Sequence, residues 1–269
     1  MMVNQPIIMG VLNITPDSFS DGGLFLDSVS AVTQVQLMVE EGAGIIDIGG
    51  ESTRPGAPAV SPEDELKRVM PVIEALSGSI DVPISIDTSK PIVMKEAFAA
   101  GASIVNDVNA LRSEGALQMA AELGADVCLM HMQGDPRTKQ ANPTDDDVVQ
   151  DVKEFFHERI AACKSVGIQL SSITIDPGFG FGKNLGHNIA LLKNLSEFHD
   201  FGVSILAGLS RKSMIGVLLG DKDVDSRLIG SVTAALIAAE NGADIIRVHD
   251  VSETKDALRV WEQIQNFRE

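Results

Sequence analysis

The sequence predicts a single-domain (β/α)₈ barrel, and three observations carry that prediction. Eight short apolar runs alternate with segments of helical periodicity. A Gly-Ala phrase recurs four times, each time leading through a brief apolar run into polar residues: Gly42-Ala43 to Asp47, Gly101-Ala102 to Asn106-Asp107, Gly124-Ala125 to His131, and Gly242-Ala243 to Arg247 and His249. A glycine that stops a helix, followed by a buried strand whose end turns polar, is one helix-loop-strand unit. Finally, no linker-like shift in composition divides the 269 residues, so one domain over 1–269 is expected. A doubly wound open sheet is the competing architecture.

Taken in order, the mostly β-branched runs at 7–12, 45–48, 84–87, 104–106, 127–131, 173–176, 203–208 and 245–248 are the strands. Helices are expected over 31–41, 61–76, 90–100, 113–123, 146–166, 187–197, 226–241 and 252–267. The second opens on Ser61-Pro62 with Asp64 three residues after the cap. In the fifth, Val148, Val152, Phe155, Phe156, Ile160 and Cys163 follow the i, i+3, i+4 rule. Two connections exceed what a turn needs: residues 13–23 after strand one and 51–60 after strand two. Both are rich in Gly, Pro, Ser and acidic residues, and at the carboxyl ends of barrel strands they are candidate lids.

Composition excludes several classes. The apolar stretches, such as 7–12 and 232–239, are too short to span a bilayer, and residues 1–6 show no secretory signal. A cytoplasmic protein is expected. The net charge of −17 argues against nucleic acid or an anionic membrane as partner. An anionic substrate must therefore be held by a few local cations. Cys128 and Cys163 have neither disulfide nor zinc spacing and read as reduced, buried filler.

On the barrel reading the strand ends gather Asn13, Asp47, Asp87, Asn106, Asp107, His131, Asp176, Lys212, Arg247 and His249 at one mouth. A helix N-cap is the competing role for any Asp, Asn, Ser or Thr there, and it is the preferred one for Thr88 and Ser89. Asp47 is expected to point at the Gly49-Gly50 turn and is as much structural as catalytic. Asp87 and Asp176 each end an isoleucine run, which places them deep in the barrel, where a carboxylate needs matching donors. With Asn106 and Lys212 they suit a flat heterocycle bearing both N–H donors and acceptors. Ser210-Arg211-Lys212-Ser213 and Arg247-Val248-His249 follow strands seven and eight, where such barrels often bind phosphate. Surface salt bridges are the alternative for Arg211 and Arg247. His131 divides between a core histidine and a ligand contact. His187 belongs to a helix start, and His157 and His199 look inert. The glycine-rich stretch from Asp176 to Lys183 lacks the ending of a phosphate loop and reads as a turn that brings backbone and Phe181 close to a ring.

These motifs resemble a known family. MGVLNITPDSFSDGG from Met9 to Gly23 and IGGESTRPG from Ile48 to Gly56 closely resemble the two signature loops of the bacterial dihydropteroate synthases. SIDT at Ser85, VND at Val105, MHM at Met130, IDPGFGFGK at Ile175, SRKS at Ser210 and RVH at Arg247 extend the likeness, in order, to the C-terminus. The resemblance implies a TIM barrel that joins 6-hydroxymethyl-7,8-dihydropterin pyrophosphate to p-aminobenzoate, giving 7,8-dihydropteroate and pyrophosphate. It implies that Asp87, Asn106, Asp176 and Lys212 bind the pterin, that Arg247 and His249 grip the pyrophosphate, that Thr53 also binds the pterin pyrophosphate, and that Asn13 ligates Mg²⁺. Phe19, Thr53, Arg54, Pro55 and Ser210 resemble the p-aminobenzoate subsite. Asp87, Lys212, Arg247 and His249 are the expected catalytic set, and a homodimer is implied. A methyltetrahydrofolate-dependent methyltransferase, sharing the barrel, and a non-catalytic pterin-binding paralogue are the competing functions.

Overall fold

Among the described residues eight strands and nine α-helices alternate. The computed structural model describes residues 5–14, 23–52, 57–132 and 147–267, with backbone alone for 23–27. The strands are β1 (Ile7–Asn13), β2 (Ile45–Gly49), β3 (Ile84–Asp87), β4 (Ile104–Asp107), β5 (Asp126–Met130), β6 (Ile173–Asp176), β7 (Ser204–Ala207) and β8 (Ile245–Val248). All pair in parallel in sequence order, and β8 returns to β1 through Ile7 opposite Ile245 and Gly10 opposite Val248. That closure excludes the open sheet.

The helices are α1 (Gly23–Glu40), α2 (Pro62–Leu76), α3 (Pro91–Ala99), α4 (Ala116–Leu123), α5 (Val148–Ser165), α6 (Leu185–Lys193), α7 (Ser213–Leu218), α8 (Leu228–Glu240) and α9 (Val251–Asn266). Side chains start several of them. Ser61 Oγ accepts from Asp64 N–H at 3.1 Å, Asp147 from Gln150 N–H, and Asn184 from His187 N–H, which fixes His187 at a helix start. Periodicity misplaced three boundaries. α1 begins eight residues before the expected 31, at Gly23, the last residue of the first long motif. The segment expected as one helix over 187–197 is α6 followed by a 3₁₀ turn, Leu195–Phe201. α7, six residues long, is too short to show a period.

The Gly-Ala phrases share one conformation. Gly42, Gly101, Gly124 and Gly242 all have positive φ. Each following alanine N–H closes onto a carbonyl five residues back: Ala43 to Met38, Ala102 to Ala97, Ala125 to Ala120 and Ala243 to Ala238, at 2.9 to 3.0 Å. This is the Schellman stop, which satisfies the last helical carbonyls and turns the chain into the next strand. All four alanines are buried.

Alternation along the strands sorts the core. Ile46, Ile48, Ile86, Val105, Leu129, Ile175, Ile205 and Ile246 belong to the large cluster beneath the helices. Met9, Ile45, Cys128, Leu206 and Ile245 form a separate small cluster that plugs the barrel's interior. Residues two positions further along these strands stand in the next layer toward the mouth, and there the interior turns polar.

Candidate active site

The layer above the plug is an electrostatic network. Asp47, two residues beyond Ile45, has no solvent exposure. Its carboxylate accepts from Ser85 Oγ at 2.6 Å, from Asn106 Nδ2 at 3.0 Å and from Arg247 Nε at 2.6 Å. Arg247 Nη2 also donates to Asp87 Oδ2 at 3.0 Å. The strand register explains the convergence: Asp47 lies beside Ser85, and Gly49, Asp87 and Asn106 sit side by side across β2, β3 and β4. Asp47 is therefore not aimed at the Gly49-Gly50 turn but into the barrel. Arg247 is likewise no surface salt bridge. That reading fits Arg211, whose Nε donates to Asp250 Oδ2 at 3.0 Å.

Above this network opens a cavity lined by Asp87, Asn106, Asp176, Lys212 and Arg247 together with Val108, Met130, Phe181 and Gly208. Burial pushes the Asp87 carboxyl up to about 7, with the Asp47 charge adding and Arg247 opposing. Burial also raises Asp176, against Lys212 and the Gly178 N–H bond to its Oδ1 at 2.8 Å. Arg247 is held charged, because the carboxylates of Asp47 and Asp87 outweigh its burial. Lys212 Nζ donates to Phe179 O and lies 4.7 Å from the Phe181 ring centroid. The glycine-rich turn thus brings Phe181 to the cavity as expected.

The remaining sequence candidates fall around this cavity. Asn13 ends β1, and its Oδ1 flanks Gly49 on the side where Asp87 also stands. Among the described residues no three His, Cys, Asp or Glu side chains cluster as metal ligands. His249 follows β8, with Nδ1 3.0 Å from Ser210 Oγ, so these two residues form one contact. Phe19, Thr53, Arg54 and Pro55 lie outside the described residues. Asp107 faces away: it accepts from the N–H groups of Asn109 and Leu111, both at 2.8 Å, and burial pushes its carboxyl up to about 6. His131 resolves as a core residue, packed edge-on against Phe155 with Nδ1 2.9 Å from Lys183 Nζ. Burial, then the Lys183 charge, pulls it down to about 2. Thr88 is not the cap of α3, which starts from Lys90. Its Oγ1 accepts from Lys90 N–H instead.

One group was only half read from the sequence and another escaped it. Asp47 carries the same mark as Asp87, an aspartate embedded among isoleucines, but its flanking glycines suggested a turn. Lys183 closes the glycine-rich stretch and carries no pattern of its own.

With this geometry in place, comparison with known proteins is informative. Residues 9–249 match the family described as "Pterin binding enzyme". The chain is 54% identical to the dihydropteroate synthase of Escherichia coli (strain K12) over 267 residues, 99% of this chain and 94% of that protein. It is similar to the Xanthomonas albilineans dihydropteroate synthase solved with 4-aminobenzoic acid, with a TM-score of 0.93, 50% identity, and 98% and 95% of the two chains covered. The structure of that enzyme in complex with 7,8-dihydropteroate gives a TM-score of 0.90 at 47% identity, covering 100% and 97%.

Proposed function

This chain belongs to the family of pterin binding enzymes, and from that premise we propose how its barrel mouth works. It is a transferase of folate biosynthesis, condensing 6-hydroxymethyl-7,8-dihydropterin pyrophosphate with p-aminobenzoate to give 7,8-dihydropteroate and pyrophosphate. The observation that carries the assignment of residues is the single cavity lined by Asp87, Asn106, Asp176, Lys212 and Arg247.

Asp176 accepts the paired N–H groups of the pterin's amino-pyrimidine edge. Its Oδ1 is already oriented by Gly178 N–H, which leaves Oδ2 toward Gly208 and the cavity. Lys212 and Asn106 serve the ring's remaining acceptors and donors. As pyrophosphate departs, Arg247 and His249 neutralise its growing charge, and Asp87 stabilises the positive charge spread over the ring and methylene. The arylamine then attacks, bound by Ser210 and by Phe19, Thr53, Arg54 and Pro55 of the two long loops. Preorganised electrostatics supply the largest share of catalysis.

Asn13, a neutral oxygen donor at the end of β1 beside Asp87, suits Mg²⁺, which takes few protein ligands and shares phosphate oxygens. When bound, the ion supplies charge neutralisation at the leaving group.

The reading extends to a homodimer in the cytoplasm. α8 buries Ser231, Ala234, Ala235, Ala238 and Ala239 in the core, yet leaves Ile229 79% exposed, and α7 and α9 add exposed Leu218 and Ile264. Exposed large apolar side chains on these three helices support self-association. Sedimentation should give a dimer, converted to monomer by Ile229→Lys. Both cysteines are free and buried, and no helix of the described residues is long and apolar enough to cross a membrane.

A pyrophosphate-release assay tests the function. Release should require both substrates together with Mg²⁺, and Asp176→Ala should abolish binding of the pterin pyrophosphate in calorimetry. Release independent of p-aminobenzoate, or unchanged affinity in the variant, would overturn the assignment.

A further inference from the structure

Lys183 is a half-buried cation to which nothing above gives a task. Its Nζ is surrounded by four acceptors: His131 Nδ1 at 2.9 Å, His131 O at 3.3 Å, Gly178 O at 3.0 Å and Phe181 O at 3.2 Å. Four acceptors facing one nitrogen suit an ammonium with three donors, and the unprotonated Nδ1 of His131 fits the same arrangement. Two of the carbonyls belong to the glycine-rich turn, and the third belongs to the residue just past β5. The ammonium therefore ties the turn to the end of a neighbouring barrel strand.

The tie bears on the cavity. Between the two carbonyls that Lys183 holds lies Phe179, whose own carbonyl accepts from Lys212 Nζ, and Phe181 carries the ring beside Lys212. The turn also lies close against that strand end, since a Cβ on Gly178 would stand 1.9 Å from His131 O. On the far side Asn188 Oδ1 accepts from Gly180 N–H at 2.7 Å. Burial pulls Lys183 down to about 7, with Asp176 opposing and Lys212 adding. Among the described residues no carboxylate hydrogen-bonds it, so backbone dipoles and His131 solvate it.

We propose that Lys183 is a positioning residue of the pterin site: by clamping the turn over 177–182 to β5, it sets Phe181 and Lys212 for the ring. The inference rests on the reading of the cavity as the pterin pocket. It adds a residue that never touches substrate, and it makes the two substrates respond differently.

The test is steady-state kinetics of Lys183→Met, varying each substrate in turn. Misplacing Lys212 and Phe181 should raise KM for the pterin pyrophosphate by about tenfold or more, while KM for p-aminobenzoate at saturating pterin changes by less than about twofold. Lys183→Gln keeps two N–H donors and replaces the methionine variant should that one fail to fold. It should show the same selective rise by a smaller factor. An unchanged pterin KM in either folded variant, or equal rises for both substrates, overturns the proposal, since a general loss of structure has no reason to choose between them. Asp176→Ala run alongside separates the two levels. If it leaves the pterin KM intact, the pocket assignment is wrong. If it raises that KM while the Lys183 variants do not, only the positioning role falls.

Discussion

Arg247 Nε and Asp47 Oδ2 lie 2.6 Å apart on the inner wall of the barrel, although the two residues are 200 positions apart in the chain. Asp47 is also bonded by Asn106 and Ser85, so one fully buried carboxylate orients two of the groups that line the cavity. Arg247 in turn shares its charge with Asp87. The site's cation is therefore aimed by an anion the substrate never reaches.

Asp47→Ala should thus damage both fold and function. Removing one member of a buried pair leaves the other charge exposed to a low dielectric, a loss of ~3 kcal/mol in urea unfolding. Arg247 and Asn106 then lose their shared anchor, and kcat/KM should fall by about 10²-fold. A variant with near-normal kcat/KM would show that Asp87 alone aims Arg247.

The strands, and with them the mouth, were legible because barrel interiors impose alternation. Asp87, Asn106, Asp176 and Arg247 each close a short apolar run, and the register places them in adjoining layers. Asp47 obeyed the same rule, but the glycines that follow it disguised the direction of its side chain. The contacts of Lys183 and Lys90 were not legible, because barrel closure brings together partners 52 and 25 residues apart, respectively, with no local pattern marking either pair. α7 was hidden by shortness, since six residues complete fewer than two turns.

The pH dependence of stability should carry the mark of Asp87. Its folded carboxyl titrates at about 7 instead of 3.8, so the native state holds this proton more tightly than the unfolded chain does. Where the native state binds more protons, stability falls as pH rises. The contribution is therefore lost progressively between about pH 4 and pH 7 and is level above. Asp87→Asn removes this titration, so its Tm relative to wild type should climb through that window while turnover collapses. Parallel Tm curves for the two proteins from pH 4 to 8 would contradict the burial of an ionisable Asp87.

Glycine substitutions should separate backbone conformation from space. Gly124 and Gly178 both have positive φ, at 63° and 72°. A Cβ at Gly124 meets nothing within 4 Å, whereas one at Gly178 runs into the carbonyl oxygen of His131. Gly124→Ala should cost only ~1 kcal/mol in urea unfolding, the usual left-handed penalty. Gly178→Ala adds a clash with rigid backbone and should cost ~3 kcal/mol or more. Pterin binding should weaken with it, because the turn that carries Phe181 must move. Equal losses at the two sites would mean the turn yields freely.

The stem of the second long loop depends on Lys90. Its ammonium bonds both Glu51 and Glu65, and the Glu65 side chain is wholly removed from solvent. Glu51 Oε1 accepts from Val60 N–H at 3.1 Å, so the same cluster joins the two ends of the loop. Burial alone would lower the Lys90 pKa, but the bonds to the two glutamates outweigh it and keep the ammonium charged. Lys90→Met removes that charge and strands a buried glutamate, which should destabilise the protein by ~3–5 kcal/mol at pH 8. Replacing both partners, Lys90→Met with Glu65→Leu, leaves no buried charge at that position and should regain much of the loss. Urea unfolding of the two variants at pH 8 measures both effects. A single variant within ~1 kcal/mol of wild type at pH 8 would mean that Glu65 reaches water, against its complete burial.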